Sequence, residues 1–138
     1  MALYSNLPSG GSSTCRRSTK IHTGSTVCAY AKSNTIWEFV GGGKVNKVMI
    51  EQGSFLGNNS YLAIIVDGVE LYRYPDSLSN ATILYLVRSS KGNIVFSTSD
   101  SPTNILPLDI EFKNEFRIVA YPTSNTTNMK YEIEVATY

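Results

Sequence analysis

No stretch of the 138-residue sequence approaches the ~20 apolar residues of a membrane-spanning helix. Histidine occurs once and cysteine twice, too few for one chain to close a four-ligand structural zinc site. Charged residues make up only 17%, below the usual quarter, and the formal net charge is +1. Such a chain has no global field to draw in nucleic acid or a membrane surface. Sustained 3.6-residue periodicity is missing too, which argues against amphipathic helices. The opening MALYSNLPSGGSS lacks the basic segment and apolar core of a secretory signal, so a protein made in a cytoplasm is expected.

The place of charge is taken by Ser, Thr and Asn, together 40 residues, and by nine tyrosines. These residues disfavour helix interiors and suit strands, turns and hydrogen-bonded surfaces. The length is that of one domain able to bury roughly two-thirds of its unfolded surface. Charge is unevenly spread. Residues 1–37 carry Arg16, Arg17, Lys20 and Lys32 without an acid, while the rest holds 8 bases and 11 acids. That basic stretch is either a solvated segment or an arm lying on an acidic neighbour.

Pro8, Gly10 and Gly11 break regular structure in the first fourteen residues, whose only large apolar side chains after Met1 are Leu3, Tyr4 and Leu7. Residues 1–25 are expected to be an extended N-terminal arm, docked on its own domain or on another subunit, ahead of a β-sandwich domain over 26–138. From Thr14 to Tyr30 the alternation is loose, with Thr23-Gly24 as a candidate turn. Strands are expected at Thr26–Ala31, Thr35–Val40, Val45–Glu51, Ala81–Arg88, Asn93–Thr98, Leu108–Lys113, Glu115–Tyr121 and Met129–Tyr138. With turn signals about every ten residues, the fold class is all-β: a single antiparallel β-sandwich, jelly-roll-like in one form, with the N-terminal arm extended from it.

The strongest local signal is SYLAIIVDGVELYRY, residues 60–74. Asp67-Gly68 supplies the positive φ angles of a two-residue type I′ hairpin. An unbroken register pairs Val66 with Val69, Ile64 with Leu71, Ala63 with Tyr72 and Tyr61 with Tyr74. Leu62, Ile64, Val66, Val69 and Leu71 then form a core face with Arg73 at its margin. Tyr61, Tyr72 and Tyr74 share the opposite face with Ala63, Ile65 and Glu70. That tyrosine face is either packed under an arm or loop, or a contact surface for a partner or a sugar.

Catalytic signals are thin. His22 lies in a Ser/Thr-rich stretch without a nearby carboxylate or a nucleophile-elbow pattern. Gly41-Gly42-Gly43-Lys44 lacks phosphate-loop spacing, with Val45 where a magnesium-binding hydroxyl belongs. Asp100 and Asp109 bracket a loop with calcium-type oxygens but no EF-hand spacing. No catalytic residue, cofactor or metal site is assigned. A turn at Thr23-Gly24 would set Cys15 opposite Lys32 and Cys28 opposite Thr19, which favours free thiols. The sequons at Asn58, Asn80 and Asn125 are silent without secretion.

The IIVDGVELY hairpin, the closing unit LDIEFKNEFRIVAYPTSNTTNMKYEIEVATY and the Asn/Ser/Thr-rich composition resemble small all-β virion proteins of tailed bacteriophages, over about residues 45–138. The resemblance implies a non-enzymatic structural protein of the virion: a capsid decoration, collar, fibre or tail accessory. It implies a symmetric homo-oligomer whose partners are other capsid or tail proteins, without nucleic acid or membrane. Leu3, Tyr4, Leu7, Arg16, Arg17, Tyr61, Tyr72 and Tyr74 are the expected partner-binding residues. The alternative is a carbohydrate- or receptor-binding sandwich using Tyr61, Tyr72, Tyr74 or Trp37 to hold a glycan.

Overall fold

Eleven strands, all paired antiparallel, build two sheets in the computed structural model, which describes residues 18–52, 60–74, 83–97, 105–123 and 125–137. In chain order they are β1 (Ser18–Cys28), β2 (Asn34–Val40), β3 (Gly43–Gln52), β4 (Tyr61–Val66), β5 (Val69–Tyr74), β6 (Ile83–Ser89), β7 (Ile94–Ser97), β8 (Ile105–Leu106), β9 (Ile110–Phe112), β10 (Glu115–Tyr121) and β11 (Thr127–Thr137). The larger sheet runs β1-β11-β3-β6-β7, with β8 beside β6 and β9 beside β3; the smaller runs β2-β10-β4-β5. The all-β sandwich expected from the sequence is what forms. Its strand order does not by itself assign a jelly roll.

Period-two alternation places the core between the sheets. Val48 and Ile50 of β3, Leu84 and Leu86 of β6, and Ile133 and Val135 of β11 meet Leu62 and Ile64 of β4 and Phe116 and Ile118 of β10. Each such side chain removed from water contributes roughly 1.5–3 kcal/mol. Trp37, Phe39, Phe112 and Phe116 form an aromatic cluster with ring centroids 5.7–6.1 Å apart. Aromatic pairs at that spacing add to the area term.

At one end three tight turns lock together. Asp67 and Gly68 have φ of 51° and 82°, as the type I′ hairpin requires. The Asp67 carboxylate accepts hydrogen bonds from the backbone N–H of Lys113 (3.0 Å), Asn114 (2.7 Å) and Glu115 (3.1 Å). In turn the Gly41 N–H donates to the Asn114 carbonyl at 2.7 Å. At the opposite end Asn34 pins the β1–β2 connection. Its Oδ1 accepts from the Ala29 N–H at 2.9 Å and its Nδ2 donates to the Ala29 carbonyl at 3.0 Å.

Two expectations need correction. Thr23-Gly24 is not a turn, because β1 passes straight through it, paired with β11 without interruption from Ser18↔Thr137 to Cys28↔Thr127. Residues 18–25, assigned to the arm, are the first eight residues of that strand. The strand hid because its alternation is inverted. Lys20, His22, Gly24 and Thr26 share the inward face with Cys28, while Ile21 and Val27 point outward. Gly24 has a purpose there: a Cβ on it would lie 2.6 Å from the Tyr131 hydroxyl, so the glycine leaves room for that ring.

Candidate contact surface

The β4–β5 hairpin forms at Asp67-Gly68 with Val66↔Val69 and Ile65↔Glu70 in the expected register. The register then slips: Ile64 pairs with Tyr72, Ala63 with Arg73 and Leu62 with Tyr74. Leu71 is therefore an extra residue in the ladder, a β-bulge, and beyond it the two faces of β5 exchange. Tyr72 turns inward, packs on the core and lies 6.1 Å from the Phe96 ring. It does not belong to a tyrosine surface. Leu71 turns out and is 48% exposed.

What the outer face of the smaller sheet does carry is a four-membered stack. Tyr61 and Tyr121, paired across β4 and β10, have parallel rings 5.5 Å apart and only 8° from coplanar orientation. The Arg73 guanidinium carbon lies 3.8 Å from the centroid of the Tyr61 ring. Arg73 in turn holds Glu70 through two donors, Nε to Oε2 at 3.1 Å and Nη2 to Oε1 at 2.7 Å. The arginine hydrogen bond holds the Glu70 carboxyl below its ordinary pKa. Because β4 lies between β10 and β5, Tyr61 has Tyr121 on one side and Arg73 on the other. Ala63 and Val119, paired on the same outer face, are buried.

The remaining expected site residues are dispersed. Leu3, Tyr4, Leu7, Arg16 and Arg17 lie outside the described residues, as does the side chain of Tyr74. Trp37 is 8% exposed inside the aromatic cluster and offers no platform to a sugar. His22 packs against Trp37 with the rings tilted by 52° and centroids 5.3 Å apart, its Nε2 buried without a hydrogen-bond partner among the described residues. Asp109 pairs with Lys44 at 3.5 Å, while Asp100 lies outside the described residues. Among the described residues no three His, Cys, Asp or Glu side chains converge to hold a metal ion. Nor is any helix among the described residues long and apolar enough to cross a membrane. A cleft of about 570 Å³ opens where β3 parts from β6 to meet β9, with Lys47, Tyr85 and Glu132 in its wall. Lys47 and Glu132 are ion-paired there, and the bond raises the lysine pKa.

Tyr121, and which strands form the sheet edges, are what sequence reasoning missed. The alternation Phe116, Ile118, Ala120 already turns Tyr121 outward, but its partner depends on which strand lies beside β10. The exposed large apolar side chains sit mostly on edge strands: Ile21 and Val27 on β1, Val40 on β2, and Val69 and Leu71 on β5. No protein-family model matches the chain, and no curated protein matches it in sequence.

Proposed function

We propose that this chain is a non-enzymatic structural protein of a tailed-phage virion, decorating or stabilising the particle through its N-terminal segment and its sheet surfaces. The observation that carries the reading is the edge strand β1. Among the described residues its eleven-residue backbone is paired on one side only, and Ile21 and Val27 are 61% and 67% exposed on it. A free edge of that length is a template for another chain, and closed symmetry is the usual way to cover it. The resemblance of residues 45–138 to small virion proteins supplies the particle. The partners on this reading are further copies and neighbouring capsid or tail proteins.

Mass spectrometry of purified particles from the source tests it. The chain is expected as a component with a fixed copy number per particle; its absence from the particles would overturn the reading. The alternative, a glycan- or receptor-binding module, has less support. Both faces of Tyr61 are taken by neighbours of its own chain, Trp37 is buried, and Tyr72 faces the core. A glycan array showing binding that Tyr61→Ala abolishes would revive it.

A further inference from the structure

Among the described residues the sandwich has four sheet edges, and three of them are protected. β7 is only four residues long. β5 carries the Leu71 bulge, and β2 is broken by a register shift where Ile118 pairs with Trp37 and Val119 with Thr35. Short length and bulges are two of the devices by which native sheets prevent edge pairing, beside charged side chains such as the Lys20 that β1 carries. The edge of β1 has neither. It has eleven residues, no proline and no break in its register against β11.

From this contrast we infer that β1 pairs antiparallel with β1 of a second copy of this chain, across a two-fold axis through Gly24. The register follows from the exposed side chains. Ile21 and Val27 are equally distant from Gly24, and both lie on the outer face. An axis at Gly24 sets Ile21 opposite the partner's Val27 and Val27 opposite the partner's Ile21. Each apolar side chain exposed on the strand is thus covered by one from the other chain, and no other two-fold register pairs them. Directly opposed residues on an antiparallel pair have Cα atoms about 4.5–5.5 Å apart, close enough for these side chains to touch. At the axis itself two glycines meet. On the inner face the Tyr131 hydroxyl already overhangs Gly24, so the axis accommodates one phenol from each chain with no Cβ between them. The result is one continuous sheet through two sandwiches and an isologous interface.

This deepens the structural reading by naming the partner and the register, and it rests on that reading only for its biological setting. The test is a charge exchange at two exposed positions, followed by light scattering over a concentration series into the high micromolar range. Wild type is expected at twice the 15.2 kDa chain mass. Ile21→Lys/Val27→Lys places like charges opposite each other twice and should weaken the dimer by roughly tenfold or more. Ile21→Lys/Val27→Glu introduces the same number of charges but opposes lysine to glutamate, and should restore it. A monomeric wild type, or a like-charge variant as dimeric as wild type, overturns the inference. So does an opposite-charge variant no better than the like-charge one, which would refute the register. If either variant fails to fold by circular dichroism, Ile21→Cys/Val27→Cys in a Cys15→Ser background, oxidised by air, decides instead. Those positions are about 20 Å apart along one strand, so they cannot bridge within a chain. A disulfide from position 21 of one chain to position 27 of the other supports the register, and any other linkage overturns it. Persistence of an oligomer through a different surface sinks the β1 pairing and leaves the virion reading to the particle analysis.

Discussion

Glu70 and Arg73 form a two-donor ion pair on one face of β5 although they stand three positions apart. In a regular strand those positions point to opposite faces. Leu71, the extra residue of the bulge, brings them together and sends Tyr72 to the core. The pair itself is exposed, and an exposed pair contributes only about 0.2–1 kcal/mol. Its weight in the fold is small; the bulge behind it decides what the hairpin shows to solvent.

Deleting Leu71 should therefore be tolerated. The pairs Ile65↔Glu70 and Ile64↔Tyr72 survive the deletion with their faces unchanged. Urea unfolding is expected to show a loss within about 1 kcal/mol, against about 1–3 kcal/mol for Tyr72→Ala, which empties a half-buried site beside Phe96. The shortened β5 would also be a regular edge, so light scattering should detect new self-association. If the deletion costs as much as Tyr72→Ala, the bulge is holding the hairpin together rather than blunting an edge.

These elements show where the sequence was legible. Wherever apolar residues alternate toward the core, as at Ile110 and Phe112, Phe116 and Ile118, or Ile133 and Val135, strand and inward face could be read directly. The Asp67-Gly68 turn was legible because positive φ at both positions restricts the residue choice. Leu71 left no trace: a bulge changes pairing without changing local composition, so an unbroken register puts Tyr72 on the outer face when the bulge turns it to the core. β1 was obscured for a different reason. Its inward side chains are polar, and the glycine that admits Tyr131 looks like a turn residue when Tyr131, more than a hundred residues away, is not in view. Likewise the Tyr61–Tyr121 stack depends on strand order, which local periodicity does not contain.

Asp67 should make the fold acid-sensitive. Three backbone N–H donors hold its carboxyl below the ordinary value of 3.8. A lowered folded-state pKa means stability that is present above the unfolded value and lost as pH falls through the folded one. Glu70, also lowered from 4.5, acts in the same direction. Asp67→Asn retains a residue tolerant of positive φ but offers a neutral acceptor to three donors. Its melting temperature should be lower than wild type near pH 7, and the difference should shrink as the pH drops below 4. Two melting profiles that run parallel from pH 7 to pH 2 would contradict the role given to the carboxylate.

Adding one methyl group at Gly43 should cost more than at Gly24. At Gly43 the new Cβ would sit 2.8 Å from the Ala136 carbonyl oxygen and 2.9 Å from Phe112 Cζ, a paired backbone and a buried ring. Neither can yield without disturbing the core. At Gly24 the obstacle is the hydroxyl end of Tyr131, which lies near a sheet edge and can swing away. Overpacking of this kind costs about 1–3 kcal/mol, so Gly43→Ala belongs near the upper end and Gly24→Ala near the lower. Denaturant midpoints at constant m-value would rank them, and the reverse order would show that Tyr131 is more firmly held than its position suggests.

Cys28 is the last test, because its thiol reports on the closed corner where β1 meets β2. It is free and fully buried, and desolvation pushes its pKa up to about 11. Nucleophilic thiolate is scarce in the folded protein at pH 8, so in a Cys15→Ser background alkylation should proceed only through opening. Labelling rates should rise with urea in parallel with global unfolding. The same shift predicts a pH effect. The unfolded thiol ionises near 9 while the folded one stays protonated, so stability falls as pH rises from about 9 to about 11. Two pKa units correspond to about 3 kcal/mol at the limit. Cys28→Ala removes this slope, and subtracting its profile from wild type cancels the tyrosines that titrate in the same range. A difference that stays flat between pH 8 and 11, or fast labelling without denaturant, would mean that this corner of the sandwich opens to solvent in the native state.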